Sequence, residues 1–292
     1  MLANSSFKTN KQLGAFSFAA FGDAGGGTQA QKDIASRVAA ASPDFIVMTG
    51  DVVYPSGADA DYDSKYFNIY NDTIDNICVF PSLGNHDILT DNGQPYLDNF
   101  YLPNSSSGSE RYYSFDYSNA HFAVVDTNIN FSPGSAQHAW LDSDLASTSK
   151  QWKFVFFHHP PYTIGPHNND SIVATLRSDL VPLLESHGVD LVFSGHDHLY
   201  MRSEPINNVT YIVTGAGGDS LYIATPENYT AAYLNSTFSF TNVALQGSTL
   251  TLEQIRQDGT VFETHTITKP SSAAALFQLP PAPTGRFPAA IA

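Results

Sequence analysis

The stretch Gly50-Asp51-Val52-Val53-Tyr54 follows directly on the apolar run Phe45-Ile46-Val47-Met48. A buried parallel strand is typically a short continuous apolar run, and ligand sites in α/β sheets open beyond the carboxyl ends of such strands. The carboxylate of Asp51 and the phenol of Tyr54 therefore lie where a buried strand is expected to deliver functional groups.

Four further apolar runs end in the same way, in residue types that bind metals. They are Ala15 to Phe21 before Gly22-Asp23, Ile77 to Leu83 before Gly84-Asn85-His86-Asp87, Phe154 to Phe157 before His158-His159, and Leu191 to Phe193 before Gly195-His196-Asp197-His198. One such run is most simply a strand followed by a polar turn. Five of them predict one site to which several strand ends contribute.

The composition is that of an ordinary globular protein with a sizeable core. The chain has 292 residues, 42% of them hydrophobic, and a formal net charge of -15. This charge argues against a nucleic acid or an anionic membrane as partner, because phosphate contacts need clustered basic residues. Cys78 is the only cysteine, so an intrachain disulfide and a cysteine-based zinc site are excluded, and its place in an apolar run predicts simple burial.

The order of the elements predicts one α/β domain with added antiparallel strands. Expected helices span 29–41, 62–73, 137–146 and 171–187, the last with Val173, Leu176, Leu180, Leu183 and Leu184 on its core face. Expected antiparallel strands are 112–117 with 121–126, and a terminal meander of 243–245, 249–255 and 261–267, after a strand at 209–214. We predict a single catalytic domain over 1–268 and a Pro/Ala-rich tail over 269–292.

The N-terminal residues imitate a signal peptide, but the apolar stretch after Lys8 and Lys11 is short and leads into Asp23, so we interpret it as the first strand. No apolar segment approaches the length of a membrane span, which predicts a soluble chain. Eight Asn-X-Ser/Thr sequons favour a secretory, vacuolar or lysosomal location, with the cytoplasm as the alternative; they begin at Asn4, Asn71, Asn104, Asn130, Asn169, Asn208, Asn228 and Asn235.

The candidate site residues are oxygen and nitrogen donors, and they exceed what one metal ion needs. Two ions bridged by an aspartate would explain how five strand ends converge, and a bound hydroxide would be a nucleophile near neutral pH. Other chemistries have less support: the G-x-S-x-G elbow of serine hydrolases is absent, and Gly25-Gly26-Gly27 lacks the spacing of a nucleotide-binding loop.

Five motifs occur in the order typical of one family. They are GDAG (22–25), GDVVY (50–54), GNHD (84–87), VFFH (155–158) and GHDH (195–198). In these motifs, from about Ala15 to Ile267, the chain resembles the purple acid phosphatase branch of the metallophosphoesterases. General metallophosphoesterases begin with Asp-X-His, whereas here Gly25 replaces that histidine and Tyr54 would compensate. The resemblance implies a four-layer α/β sandwich of two mixed β-sheets flanked by helices.

The resemblance also implies a ligand set for two ions. Asp23, Asp51, Tyr54 and His198 would hold a ferric ion, while Asp51, Asn85, His158 and His196 would hold a divalent iron, zinc or manganese ion. Asp51 would bridge the two ions. This division is chemically coherent, since carboxylates and a phenolate suit a trivalent ion and imidazoles suit a divalent one.

Among the remaining histidines, the resemblance assigns catalytic roles to two. His86 matches a histidine that contacts phosphate and protonates the leaving group, and His167, nine residues after His158, matches a second histidine on the substrate side. We leave His159 out of the metal set and expect structural roles for His121, His138, His187 and His265. Two departures from the family pattern, Val52 in place of a common Asn and the lack of a disulfide, remove no ligand.

The expected activity is that of an acid phosphatase: a hydroxide bound at an Fe(III)–M(II) centre attacks a small phosphate monoester in line. A trivalent ion acidifies bound water, so activity is expected on the acidic side of neutrality. A phosphodiesterase on the same site and a non-catalytic phosphate or metal binder are the alternatives. The oligomeric state stays open.

Overall fold

A computed structural model describes residues 11, 13–104 and 106–270. It contains two mixed β-sheets, and the first has the strand order β13-β12-β11-β1-β2-β3. β1, β2 and β3 are parallel, whereas β11 to β13 form an antiparallel meander joined to β1. The strands of this sheet are β1 (Phe16–Phe21), β2 (Phe45–Met48), β3 (Cys78–Pro81), β11 (Ser239–Gln246), β12 (Thr249–Arg256) and β13 (Val261–Thr268).

The second sheet has the order β10-β8-β9-β7-β6-β5-β4. Its central strands β5, β6, β7 and β9 are parallel, and β4, β8 and β10 are antiparallel additions at its two sides. The strands are β4 (Tyr113–Tyr117), β5 (Ala120–Val124), β6 (Trp152–Phe156), β7 (Leu191–Ser194), β8 (Tyr200–Ser203), β9 (Thr210–Thr214) and β10 (Thr230–Leu234).

The helices cover the outer faces of the two sheets. They are α1 (Gln29–Ala41), α2 (Asp59–Tyr62), α3 (Asn68–Ile74), α4 (Gln94–Asn99), α5 (Ala136–Ser147), α6 (Ser171–Thr175) and α7 (Val181–Ser186). A π-helical turn, Asp63–Phe67, joins α2 to α3, and a second, Leu176–Leu180, joins α6 to α7. Pro182 explains the second turn, because proline lacks an N–H and its ring clashes with the carbonyl of an α-helix four residues earlier.

A layer of aromatic rings packs between the sheets. Phe18 of β1 lies with its ring centroid 5.4 Å from that of Phe122, 5.6 Å from Phe154 and 5.9 Å from Phe193, all three in the second sheet. The outer face of the second sheet packs against α5 and the α6–α7 segment through a separate apolar cluster that includes Leu141. The molecule is therefore the expected sandwich, with helices outside two stacked sheets.

The carboxyl ends of the parallel strands of both sheets lie close together. In the first sheet Phe21 pairs with Met48 and Met48 with Pro81, so β1, β2 and β3 end level. The backbone N–H of Gly22 then donates to the carbonyl of Thr214 at the end of β9, 2.9 Å away, which ties the two edges together. The loops after β1, β2, β3, β6 and β7 therefore face one another across the join between the sheets.

Most predicted elements are confirmed, with differences at weakly patterned segments. The strands β8 and β10 and helix α4 were not expected, and the predicted 62–73 helix begins earlier, at Asp59. Cys78 is only partly buried, which corrects the expectation of simple burial, because β3 is an edge strand of its sheet. Leu183 is also partly buried, while the other four leucine and valine positions of that face are buried.

Two sequence expectations concern the termini and the surface. Residues 271–292 of the predicted tail and the sequon at Asn4 lie outside the described residues. Most sequon asparagines of the described part are exposed, namely Asn71, Asn104, Asn130, Asn169, Asn208 and Asn228. Within the described ranges the model contains no helix with the length and apolar content that a membrane span requires. The domain boundary at residue 268 and the secretory location stay predictions.

Candidate metal centre

Asp23 and Asp51 form the buried floor of the site, at the ends of β1 and β2. Both adopt left-handed backbone angles, φ 56° and 52°, which Asp tolerates better than most residues. The sharp turns redirect the chain where each strand ends. Gly50, with φ 93°, is needed before Asp51, because a Cβ there would lie 2.5 Å from Nδ1 of His158.

The Tyr54 hydroxyl lies at the centre of the first half of the site. It donates to Oδ2 of Asp51 at 2.9 Å and lies 3.3 Å from Oδ1 of Asp23. Nε2 of His198 is 3.1 Å from the same hydroxyl. Two carboxylates, a phenol and an imidazole therefore converge on one point from the loops after β1, β2 and β7.

The second half of the site is built around the Asn85 side chain. Its Oδ1 atom lies 2.8 Å from Nε2 of His158 and 2.9 Å from Nδ1 of His196. Nε2 of His158 also lies 3.5 Å from Oδ2 of Asp51, the carboxylate that Tyr54 contacts. Asp51 thus stands between the two halves, in the position expected of a bridging ligand.

Two of these imidazoles have one nitrogen fixed by a neighbouring group. Nδ1 of His158 donates to the carbonyl of Thr49 at 2.8 Å, and Nδ1 of His198 hydrogen bonds Oγ of Ser220 at 2.7 Å. Histidines that bind metals are commonly held in this way, with the other nitrogen left for the ion. The Nε2 atoms of both residues face the carboxylates.

The electrostatics of the cluster favour a cation. Burial raises the pKa of Asp23, and the Asp51 charge adds to this increase while His198 and His158 oppose it. Burial, followed by the charges of Asp23 and Asp51, raises the pKa of Tyr54. Burial lowers the pKa of His158, but the fields of Asp51 and Asp23 outweigh this and leave it raised. Burial and the closeness of the two carboxylates thus disfavour the anionic forms of Asp23 and Tyr54 and favour a positive charge beside them, so the donor set fits bound cations.

The carboxylate of Asp87 holds together the loops that carry the predicted ligands. The sequence analysis did not assign this role to Asp87. Its buried carboxylate accepts from the N–H groups of Val52 at 2.9 Å, Val53 at 3.2 Å and Gly84 at 2.8 Å. Burial and the nearby Asp51 charge raise the pKa of Asp87 to about 7, against the opposing effect of these three N–H donors. The GNHD motif, in which this carboxylate follows Asn85 and His86, was the available signal.

His86 lies beside the first half of the site. Its backbone N–H donates to Oδ1 of Asp51 at 2.9 Å, and its ring lies 4.6 Å from the Tyr54 ring. Nδ1 donates to the carbonyl of Pro55 at 2.6 Å, which leaves Nε2 for another partner. The structure therefore places His86 next to the proposed ligands, where the sequence analysis expected it.

His167 lies beside the second half, on the 3₁₀ turn Pro166–Asn169. Its ring is 4.2 Å from that of His196, and Nδ1 donates to Oδ1 of buried Asp197 at 2.7 Å. Asp197 also accepts from Oγ1 of Thr163 at 2.5 Å. The sequence analysis did not foresee this carboxylate, although it lies between two predicted ligands in GHDH.

Two further rings, those of His159 and Tyr222, pack against the predicted ligands and form part of the wall of the site. His159 hydrogen bonds Oγ1 of Thr127 at 2.8 Å and packs its ring 4.6 Å from that of His196. Tyr222 stacks on His198 with the ring centroids 4.1 Å apart and an interplanar angle of 6°. Tyr222 carried no sequence signal, because it comes from an irregular segment between β9 and β10.

Of the histidines expected to be structural, two bond to carboxylates elsewhere in the fold. His121 lies 2.8 Å from Asp116 and 2.8 Å from Asp144, and His187 lies 2.6 Å from Asp142. The structure thus separates these residues from the seven predicted ligands, which it brings together. The assignment of those seven as metal ligands stays a prediction.

Sequence models of two families match the chain. The model described as calcineurin-like phosphoesterase matches residues 16–200, which is more than half of the chain. The model described as iron/zinc purple acid phosphatase-like protein C matches residues 208–264. The first contains all the predicted ligands, and the second contains Tyr222, β11, β12 and the first half of β13.

Known relatives and solved structures resemble parts of this chain. Purple acid phosphatase 23 of Arabidopsis thaliana is 32% identical over 152 residues, which are 47% of this chain and 33% of the relative. The chain thus matches about a third of that relative's length. A purple acid phosphatase from yellow lupin (Lupinus luteus) seeds superposes with a TM-score of 0.80 at 21% identity, over 88% of this chain and 54% of the lupin chain.

A second structural match has a different described role. GAP50, described as the anchor in the inner membrane complex of Plasmodium, superposes with a TM-score of 0.73 at 22% identity, over 89% of this chain and 90% of its own. At these identities the two structural matches show a shared fold.

The closeness of the buried carboxylates of Asp23 and Asp51 leads to a prediction for the metal-dependent stability of Asp23→Asn. A carboxyl whose pKa is raised by burial destabilises the fold once it ionises, so in chelator the variant should unfold with an unchanged or increased free energy. Zinc at 100 to 1,000 times its Kd should stabilise the wild type by about 3 to 4 kcal/mol for each ion bound, and the variant should lose the part of this gain that comes from the ion Asp23 would hold. Urea unfolding with EDTA and with zinc measures both.

The exposed carboxylate of Asp63 provides the control. Asp63→Asn should retain the full gain in stability from zinc. A zinc-dependent gain of equal size in Asp23→Asn and wild type would remove Asp23 from the metal-binding set.

Proposed function

We propose that this chain, which belongs to the calcineurin-like phosphoesterase family, hydrolyses phosphate monoesters at a two-metal centre. The observation that carries the proposal is the position of Asp51, whose carboxylate lies 2.9 Å from the Tyr54 hydroxyl and 3.5 Å from Nε2 of His158. One carboxylate thus contacts both halves of a buried set of metal-binding side chains.

The two halves differ in donor chemistry, which supports two different ions. Asp23, Asp51, Tyr54 and His198 offer mainly anionic oxygen atoms, as a ferric ion prefers. Asp51, Asn85, His158 and His196 include two imidazoles and suit a divalent iron, zinc or manganese ion. The description of the matching C-terminal family model, iron/zinc purple acid phosphatase-like, agrees with this choice.

A ferric and a divalent ion would change the local charge of an acidic protein. With two carboxylates and a phenolate as ligands, the centre would keep a charge of about +2, enough to attract a phosphate ester. When bound, the ions would supply Lewis acidity and an activated water molecule. All further contributions come from side chains.

His86 is placed to transfer a proton to the leaving group. Its Nδ1 donates to the Pro55 carbonyl, so Nε2 is the nitrogen that can carry the transferable proton. His167 would bind the phosphate group of the substrate or assist His86 in proton transfer. Asp197 fixes Nδ1 of His167 and leaves its Nε2 for the substrate. Tyr222, stacked on His198, closes one wall and is a candidate contact for the organic part of the ester.

Two alternatives remain distinct from this proposal. A phosphodiesterase would use the same centre on a diester. A non-catalytic role is the second alternative, and it has one specific observation in its favour, the match over 90% of the length of GAP50, which is described as an anchor. The presence of His86 and His167 beside the complete ligand set favours catalysis.

Hydrolysis of nitrophenyl phosphate compared with bis(nitrophenyl) phosphate separates the three functions. We expect turnover of the monoester, with activity highest below neutral pH, and a much lower rate on the diester. A preference for the diester would favour the phosphodiesterase. The absence of turnover on both, in protein that contains two metal ions per chain, would favour the binder.

His86→Ala tests the proton donor. The maximal rate on an alkyl phosphate, a poor leaving group, should fall by about 10² to 10⁴ because general acid catalysis is lost. The defect should be smaller on nitrophenyl phosphate, whose leaving group needs less protonation. His138→Ala is the matched control, because His138 lies on α5, which packs against the outer face of the second sheet. Loss of metal from His86→Ala, or equal defects on both substrates, would contradict the role as acid.

Tyr54→Phe tests the ferric half by a readout that does not need activity. A tyrosinate bound to ferric iron transfers charge to the metal, so iron-loaded wild type should have a broad visible band and a pink to purple colour. The variant should lose this band at a matched iron content. Tyr222→Phe, which changes the phenol stacked on His198, should keep the band. A colourless iron-loaded wild type, or a band that survives in Tyr54→Phe, would exclude Tyr54 as a ligand.

A further inference from the structure

His121 lies near the amino end of β5, whereas the metal centre lies beyond the carboxyl ends of the parallel strands, and both of its ring nitrogens face carboxylates. Nδ1 is 2.8 Å from Oδ1 of Asp116 on β4, and Nε2 is 2.8 Å from Oδ2 of Asp144 on α5. A neutral imidazole has one N–H donor and one lone pair, whereas an imidazolium donates from both nitrogens. With both carboxylates ionised, only the protonated ring can donate to both of them.

The contact between His121 and α5 is shielded from water. His121 is buried, and the side chain of Asp144 is only 9% exposed. The other oxygen of Asp144, Oδ1, accepts the hydroxyl of Ser114 at 2.7 Å. Loss of the proton from His121 would leave a poorly solvated carboxylate short of one donor, and such a group is costly to keep in the folded protein.

The charged groups on the neighbouring elements favour the protonated ring. Two anions, Asp116 and Asp144, contact the ring directly. Two cations lie further along the same face: Lys150, with Nζ 3.5 Å from Oδ2 of Asp116, and Lys153, the register partner of His121 on β6, whose ammonium donates to two backbone carbonyls. Burial lowers the pKa of His121, but the hydrogen bonds and charges of Asp144 and Asp116 outweigh burial and leave it raised.

Helix α5 connects this cluster to the loop after β5. Near the start of the helix, the side chain of Gln137 exchanges two hydrogen bonds, 2.8 and 2.9 Å long, with the backbone of Asp126. In the same loop the side chain of Asn128 donates to the carbonyl of Leu83 at 3.1 Å, directly before the GNHD motif. A change in how α5 packs on the sheet therefore reaches the loops beside the metal centre.

We propose that His121, Asp116 and Asp144 form a pH-sensitive clamp, which we call the histidine clamp, that holds α5 and β4 on β5 while the ring is protonated and loosens α5 when the proton is lost. A histidine whose pKa is raised by folding stabilises the fold fully below its unfolded pKa, about 6.5, and this contribution disappears as the pH rises through the folded pKa. The histidine clamp is therefore closed in acidic solution and weakens above about pH 6.5. It does not depend on the proposed phosphatase function.

Hydrogen exchange of the full chain, loaded with equal amounts of zinc in all samples, tests the histidine clamp. Mass spectrometry gives the protection of peptides from residues 136–147 at about pH 5.5 and about pH 8.5, after correction for the intrinsic exchange rate. In wild type we expect this protection to fall at least about threefold at the higher pH. His121→Gln cannot take up a proton, so its protection should be low at both pH values and should change little between them.

Asp116→Asn is a milder second variant, because the Asp116 side chain is 49% exposed and the amide oxygen still accepts Nδ1–H. It removes one of the two charges, so the pH dependence of α5 exchange should be smaller than in wild type. His187→Gln is the matched control. His187 has one carboxylate partner, Asp142, which is 58% exposed, so this variant should keep the wild-type pH dependence.

An NMR titration of the His121 ring in the same zinc-loaded chain reports its protonation directly and needs no variant. We expect a ring that is mostly protonated at about pH 6.5 and that loses its proton at higher pH. A ring already neutral at that pH would overturn the histidine clamp. Equal pH dependence of α5 exchange in wild type, His121→Gln and Asp116→Asn, or an equal loss of it in His187→Gln, would also overturn it. Because none of these measurements uses phosphatase activity, a failure of the proposed function would leave their outcome unchanged.

Discussion

The structure depends on how one buried carboxylate, that of Asp51, is held in place. Oδ1 accepts the backbone N–H of His86 and Oδ2 accepts the hydroxyl of Tyr54, both at 2.9 Å. Another buried carboxylate, Asp23, lies on the other side of the Tyr54 hydroxyl. Burial of like charges is costly, so the fold must either neutralise them or bind cations between them. The remainder of the site is organised to meet this requirement.

Rigid elements around the cluster keep the charges close together. The strands end level, Asp87 ties the Val52–Val53 and Gly84 backbones to one carboxylate, and Gly50 gives the imidazole of His158 room beside the turn. Left-handed backbone at Asp23, Asp51 and His196 adds strain at the same place. Such strain persists only where packing is strong, and the aromatic layer between the sheets, centred on Phe18, supplies that packing.

The histidines of the site form a graded series. His158 is fully buried, His198 is buried against Tyr222, and His167 is partly exposed at the entrance. Each has its Nδ1 fixed, by a backbone carbonyl, a hydroxyl and a carboxylate respectively. In all three rings Nδ1 is fixed and Nε2 is left for another partner, which we propose to be a metal ion at the two inner histidines and the substrate at His167.

The sequence by itself determined the buried parallel strands and the polar residues at their ends, because both follow from local pattern and residue type. Motifs such as GNHD and GHDH also determined the resemblance to the family, and with it the predicted metal ligands. Contacts between distant segments were decided only by the tertiary structure. The strands β8 and β10 form where another strand offers an edge, Tyr222 meets His198 through the packing of an irregular segment, and Asp197 meets His167 across 30 residues. These long-range contacts cannot be predicted from the local sequence pattern. The free energy that stabilises them comes from burial and hydrogen bonds that form only after the sheets have packed.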